Sequence, residues 1–328
     1  MRIVLDAMGT DNHPQVDVAG GVLAAQELNE TVILIGNQKC IEGELKKYNT
    51  SGLDIEVVHA EQTILNTDKP SVVGRSKPQS SMHIGMNMIK AGHADAFVTM
   101  GNTGAALSIA TLHTLRRIRG VKRPALGATV RVGNNVVMLL DIGANTDARP
   151  EWLAQFAVMG NIYVNKMLDL KDPRIALLSN GEEDNKGNQL VLEASELIAK
   201  LNLNYIGNVE PKEVLEGCAD VVVADGFVGN IAVKTFEASL MTLSNLIRSE
   251  LKANPLSIIG GLFAKPAFSR LREQFEIGGA LLLGINGVVI IGHGRGDAVA
   301  VKRAIEQARR AVTSNIVKTI QEDLTTTS

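Results

Sequence analysis

The run Val221-Val222-Val223-Ala224 stops at Asp225-Gly226-Phe227-Val228-Gly229-Asn230, and a segment of helical period follows over 231–251. A short apolar run of this kind suits a strand buried on both faces. Strand, turn and helix in that order argue for a parallel sheet, because parallel strands need a crossover and a helix supplies it. The order also puts Asp225, Asn230 and the first amides of the helix at the carboxyl edge of the sheet. Open α/β folds hold ligands there, and helix-start amides favour anions. Alone, the turn has a second reading as a Gly-rich joint between two elements. Turns of the same character follow other apolar runs, at 101–105, 141–145 and 179–187, and they favour the first reading.

The rest of the chain repeats the alternation. Strands are expected at 3–5, 31–35, 55–58, 96–99, 135–140, 175–178 and 288–291, with helices over 16–29 and 42–48 among the first three. Pro70 opens a helix that ends near Gly92, with Val73, Met82, Met86 and Ile89 on one face. Further helices are expected at 107–118, with Thr103 as N-cap, from Pro150 with Trp152, Phe156 and Met159 inward, and at 189–200 and 297–312. The Gly-laced stretch 277–292 is interrupted by Asn286 and too short to span a bilayer, so it reads as buried strand and turn. The expected architecture is three-layer α/β/α with a largely parallel central sheet. It forms one large catalytic domain over 1–315, and 316–328 is a polar tail that frays.

Composition excludes several classes. With 328 residues, 45% of them hydrophobic, and a formal charge of -2, the chain is neither disordered nor a basic nucleic-acid binder. Scarce aromatics beside 31 glycines suit close backbone approach to small ligands better than base stacking. Cys40 and Cys218 have no metal-ligand spacing and give no disulfide framework, which fits a reducing cytoplasm. Asp6 interrupts the first apolar run too soon for a signal peptide.

Motifs narrow the chemistry further. No Lys-Ser or Lys-Thr follows Gly101–Gly104, so the turn is not a phosphate-loop NTPase motif. Met8-Gly9-Thr10 is not a dinucleotide fingerprint, no serine sits in a Gly-x-Ser-x-Gly elbow, and no histidine pair has metal spacing. Without a nucleophilic triad or a metal cage, a reaction here leans on orientation, backbone donors and a few charges. Lys186, the cation inside the Gly/Asn loop at 179–187, is the foremost candidate for holding an oxyanion. Its other reading is a solvated lysine in an acidic surface loop.

Seven motifs in order carry a resemblance: Asp6-Ala7-Met8-Gly9, Arg75-x-Lys77-x-x-Ser80-Ser81-Met82, Gly101-Asn102-Thr103-Gly104-Ala105, Asp141-Ile142-Gly143-Ala144-Asn145, Asn180-Gly181-Glu182-Glu183 with Lys186-Gly187, Asp225-Gly226-Phe227-Val228-Gly229-Asn230, and Gly278-Gly279-Ala280 with His293-Gly294. Together they resemble the bacterial phosphate acyltransferases of phospholipid synthesis, the PlsX family, over residues 3 to about 310. Thr10, Leu281 and Arg295 depart from the pattern, which has glycine, proline and a small polar residue there.

The resemblance implies a fold like those of isopropylmalate dehydrogenase and phosphotransacetylase, without nicotinamide. It implies a cytoplasmic homodimer that associates peripherally with the inner face of the cell membrane. Such an enzyme converts acyl-[acyl-carrier protein] and inorganic phosphate into acyl phosphate and free carrier protein. The product then serves a membrane glycerol-3-phosphate acyltransferase. The resemblance implies that no cofactor is needed. On this mechanism Lys186 orients phosphate and Asn230 donates a hydrogen bond in the transition state. Asn102, Thr103 and Gly104 are candidates for a phosphate cradle, while Asp225 and His293 are substrate-binding or structural.

An acidic carrier protein implies a basic docking patch, assigned to Arg248, Lys252, Arg270 and Arg272, although each also reads as a solvated helix charge. The amphipathic segment 254–271, broken by Gly260-Gly261 and Pro266, is assigned to the membrane through Leu256, Ile259, Leu262, Phe263 and Phe268. Its alternative is a cap on the core. Two other classes stay open: a CoA-dependent phosphotransacetylase or related dehydrogenase-fold enzyme, and a non-catalytic membrane scaffold.

Overall fold

The computed structural model describes residues 1–133, 135–253, 257–258, 260–261, 263–264 and 279–326. The chain sorts into two compact units. Unit 1 holds Met1–Gly127, Ile162–Lys171 and Gly278–Ser328, and unit 2 holds Ala128–Asn161 and Asp172–Ile277.

In unit 1 the strands β1 (Arg2–Asp6), β2 (Thr31–Gly36), β3 (Ile55–His59) and β4 (Ala96–Thr99) run parallel in the order β3-β2-β1-β4. β1 is central, and its Ile3, Val4 and Leu5 are wholly buried. β5 (Ala125–Val132) begins in this unit. A hairpin made of β10 (Ala280–Leu283) and β11 (Val288–Ile291) continues the sheet: β11 is parallel to β4, and β10 is antiparallel to β11 and to the start of β5. Leu281, a departure from the family pattern, is therefore a strand residue paired with Gly127 and Ile290 and 1% exposed, so it needs no proline's constraint.

Helix α1 (Gln15–Leu28) covers one face of this sheet. A Cβ on Gly20 would land 2.4 Å from Val301 Cβ, and one on Gly21 would land 2.9 Å from Leu34 Cδ2. The Gly20-Gly21 step thus lets α1 lie against both the sheet and the later helix that carries Val301.

In unit 2, β6 (Asn135–Leu140), β7 (Ile175–Leu178), β8 (Tyr205–Val209) and β9 (Val221–Val223) run parallel in the order β6-β9-β7-β8. Val137, Ala176, Val209 and Val222 make part of its core. Helices α6 (Pro150–Leu168), α7 (Gln189–Ile198) and α8 (Pro211–Glu216) come between these strands in the chain, and both units join helices to a largely parallel sheet.

Several elements differ from the expectations. Pro78 cannot continue the helix opened by Pro70, so α3 (Pro70–Ser76) ends and α4 (Ser81–Lys90) restarts, with Ser80 capping His83 N. The helix α2 spans Gln38–Leu45, starting at the Asn37 cap, four residues earlier than expected. The helix placed at 107–118 is α5 (Thr103–Ser108), continued by a π-helical turn at Ile109–His113. β8 escapes the strand pattern because Gly207-Asn208 interrupts it. The expected fraying tail is instead a helix, Ile316–Thr326, with Ile316, Ile320 and Leu324 buried at four-residue spacing.

Candidate functional site

The carboxyl edge in unit 1 is built from carboxylates that face hydroxyls. Asp6, at the end of β1, accepts from Met8 N at 3.1 Å and from the Thr99 hydroxyl at 2.8 Å. Thr99 Oγ1 in turn accepts from Gly101 N at 3.0 Å. The hydroxyl of Thr10 donates to Asp17 Oδ2 at 2.6 Å, which gives this departure from glycine a structural role. Burial pushes the Asp6 carboxyl up, partly offset by hydrogen bonds from Ser81 and Thr99. Burial raises Asp17 to about 7, with the Asp6 charge adding to the shift.

The Gly101–Ala105 turn stands on this frame. Asn102, not Thr103, caps α5: its Oδ1 accepts from Ala105 N at 3.0 Å. A shorter, β-branched Thr103 falls instead in the first helical position. The Asn102 Nδ2 donates to Leu65 O at 3.2 Å and Asp68 O at 3.1 Å, so both ends of the side chain are engaged by protein. Thr103 is exposed, and Gly104 lies under Pro70, where a Cβ would come 2.6 Å from Pro70 Cγ. His293 is exposed, and its Nδ1 accepts from Arg295 N at 3.3 Å.

Unit 2 brings together Asp141, Gly143, Asn145, Asp225 and Asn230. Helix α9 spans Gly226–Leu251, so the glycine turn expected before Ile231 is the helix's own first turn. Asp225 is the reason. Its Oδ1 accepts from Phe227 N and Val228 N, each at 2.9 Å, and satisfies two of the amides that a helix start leaves open. Asp225 is thus a cap and 7% exposed, which favours its structural reading.

The two glycines let the loop at 141–145 approach the helix. A Cβ on Gly229 would sit 2.0 Å from Asp141 O, and one on Gly226 would sit 2.7 Å from Asn145 N. Asp141 is fully buried and stiffens that loop, accepting from Gly143 N at 3.0 Å, Ala144 N at 2.9 Å and Asn145 N at 2.8 Å. The Asn230 side chain faces Gly143, its Nδ2 being 3.8 Å from where a Cβ there would stand. It makes no hydrogen bond to protein among the described residues, so its amide is available to a ligand. Asn230 also opens a groove of about 660 Å³ along α9, lined by Ile231, Thr235, Ala238, Leu243 and Leu246.

Lys186 is exposed in the loop after β7, and its ammonium has no carboxylate partner among the described residues. Its stem lies over Gly181, where a Cβ would come 2.6 Å from Lys186 Cγ. Gly187, with φ +106, turns the chain away, and its amide donates to Asn180 Oδ1 at 3.0 Å.

Among the other expected positions, Arg248 and Lys252 are exposed at the end of α9, and Phe263 is exposed. Arg270, Arg272, Leu256, Ile259, Leu262 and Phe268 lie outside the described residues. The sequence reading missed Asp141 as the brace under Asn230. Its signal was a buried-strand carboxylate followed by a glycine loop, the pattern used for Asp225. No group of three or more metal-ligating side chains occurs among the described residues.

Comparison with known proteins fits this arrangement. The family model described as "Fatty acid synthesis protein" matches residues 1–319. The chain is 44% identical to a phosphate acyltransferase of Dictyoglomus turgidum, over 99% of its length and 98% of the relative's. It is 39% identical to one of Geobacter sulfurreducens, over 99% and 95%. A phosphotransacetylase from Streptococcus pyogenes shares the fold with a TM-score of 0.62 at 19% identity, covering 95% of this chain and 94% of that one. A 4-hydroxythreonine-4-phosphate dehydrogenase from Burkholderia phymatum shares it with a TM-score of 0.51 at 12% identity, covering 94% and 98%. Fold and relatives together define an enzyme, an acyltransferase of lipid synthesis built on a three-layer α/β/α fold. The chain belongs to the fatty acid synthesis protein family, among relatives named phosphate acyltransferase.

Proposed function

We propose that this enzyme transfers an acyl group from acyl-[acyl-carrier protein] to inorganic phosphate, and so feeds phospholipid synthesis. A phosphate oxygen attacks the thioester carbonyl, a tetrahedral oxyanion forms, and the carbon–sulfur bond breaks. The thiolate leaves on the carrier and takes up a proton, and the acyl phosphate departs. Lys186 orients the phosphate and lowers its repulsion from the growing oxyanion, and Asn230 donates to that oxyanion. The observation that carries the reading is an ammonium and a side-chain amide that have no partner among the described residues, both on backbone held in place by glycine contacts and side-chain clamps.

The apolar groove that starts at Asn230 supports an acyl chain lying along α9 with its carbonyl at Asn230. For the phosphate cradle, the engaged Asn102 side chain leaves the role to Thr103 and the amides around Gly104. His293 is kept as a substrate-binding candidate. Exposed Phe227 and Met241 offer apolar surface for a second copy, which supports the homodimer. Exposed Arg248 and Lys252 support the docking patch, whose other two members, Arg270 and Arg272, lie outside the described residues.

Peripheral membrane contact through Leu256, Ile259, Leu262, Phe263 and Phe268 is supported by Phe263, 82% exposed. Among the described residues no helix is long and apolar enough to cross a membrane. Delivery at the membrane surface would shorten the path to the glycerol-3-phosphate acyltransferase. Replacing Leu262 and Phe263 with Ser is expected to abolish sedimentation with anionic liposomes and to spare soluble activity. Unchanged sedimentation, or an unfolded variant, would remove the membrane role.

The reading itself is tested by phosphate-dependent release of free thiol from acyl-carrier protein and, separately, from acyl-CoA. Preference for the carrier thioester is expected. Preference for acyl-CoA would mark a phosphotransacetylase, and turnover with neither would leave a scaffold.

A further inference from the structure

We infer that Asn208 is a positioning residue for Lys186, acting from a neighbouring strand on the loop that presents the lysine. The inference rests on the phosphate-orienting role proposed for Lys186 and goes beyond it.

β7 and β8 are parallel, but their register slips: Ile175 faces Tyr205, while Leu177 faces Asn208. Two steps on β7 thus match three on β8, which is the signature of a bulge. Gly207, with φ +94, takes the conformation that a bulge needs and that a side chain would strain. A bulge re-aims the side chains beyond it, and the one beyond Gly207 is Asn208.

That side chain reaches the lysine loop. Asn208 Nδ2 donates to Glu183 O at 3.0 Å and to Lys186 O at 3.3 Å. Glu183 O also accepts from Lys186 N at 2.9 Å. One amide therefore ties both ends of the 183–186 turn, including the main chain of Lys186 itself. The segment Glu182-Glu183-Asp184-Asn185-Lys186 is exposed and polar, with no apolar side chain to anchor it. Its shape depends on such clamps, and Lys186 has a long stem that amplifies any shift of its backbone.

Asn208 is also a costly way to fill the space. It is 7% exposed, and its Oδ1 is buried without a hydrogen-bond partner among the described residues. An apolar residue of similar size would leave no such orphan. The position therefore keeps a donor at the expense of stability, which is the expected trade where orientation matters more than folding.

The test is a double-mutant cycle on thiol release from acyl-carrier protein, with thermal unfolding measured on every variant. Asn208→Ala is expected to lower kcat/KM for phosphate about 10- to 100-fold, the scale of a displaced catalytic group, while KM for the acyl donor changes little. In a Lys186→Ala background the same substitution should cost less than about twofold, because the group it positions is gone. Asn208→Leu is expected to keep or raise the unfolding midpoint and still lose activity. Equal losses in both backgrounds, wild-type activity of Asn208→Ala, or failure of both Asn208 variants to fold would make Asn208 purely structural and overturn the inference. If Lys186→Ala alone keeps wild-type turnover, the proposed role of the lysine fails first, and the inference with it.

Discussion

The polar edges of the two units use the same residue types in opposite ways. In unit 1 the asparagine of the Gly101–Ala105 turn has both ends engaged, and Asp6, Thr99, Thr10 and Asp17 bond to one another or to nearby amides below solvent. In unit 2 two carboxylates are again internal, with Asp225 capping α9 and Asp141 bracing its loop. There, however, Asn230 and Lys186 stand on the braced backbone with their own polar heads uncommitted among the described residues. A polar turn becomes a chemical site only when its framework is satisfied by other atoms. Then the remaining donors can meet substrate without first giving up a partner.

Three substitutions probe that contrast, in descending order of effect. Gly229→Ala puts a Cβ 2.0 Å from Asp141 O, too close for any relaxation short of moving the loop or the helix. It should destabilise the protein by roughly 3 kcal/mol and lower turnover of the folded fraction at least as far as Asn230→Ala does. Denaturant unfolding with a normal midpoint would show that the contact is not rigid. In unit 1, Asn102→Ala removes a cap and the donor to the 65–68 loop, and about 1–2 kcal/mol of stability should go. A loss of turnover approaching that of Lys186→Ala, with unchanged stability, would erase the distinction between the two edges.

The smallest effect on turnover is expected from the third substitution, which acts on pH dependence. Burial raises Asp17 from 3.8 to about 7, so the folded state holds that proton more tightly than the unfolded state. Below pH 3.8 both states are protonated and there is no penalty. Stability then falls as pH rises through that window and levels off above about 7. Asp17→Asn keeps an acceptor for Thr10 and should flatten the decline between about pH 4 and 7. An equally steep decline in the variant would assign the dependence to other groups.

Much of this was legible in the chain because the signals are local. Apolar runs of four to six residues and the turns that end them locate most strands, and the motif order points to the family before any coordinates. What was not legible depends on contacts between distant residues. β8 was hidden because Gly207-Asn208 breaks the apolar pattern, yet the bulge there is what turns Asn208 toward Lys186. The local pattern puts the cap of α5 at Thr103, whereas the structure puts it at Asn102, since the loop that engages Asn102 lies over thirty residues earlier. The 316–326 helix looked like a tail because its three buried residues, Ile316, Ile320 and Leu324, are spread among polar ones.

The central claim is that the chemistry rests on Lys186 and Asn230, each held by a backbone that other residues fix. Thiol release from acyl-carrier protein at saturating phosphate, measured for Lys186→Ala and Asn230→Ala beside their unfolding midpoints, tests it most directly. A loss of ~10²–10³-fold in turnover at wild-type stability is expected for Asn230→Ala, as for removal of one transition-state donor, with a clear loss for Lys186→Ala. Near wild-type turnover in both folded variants would contradict the account.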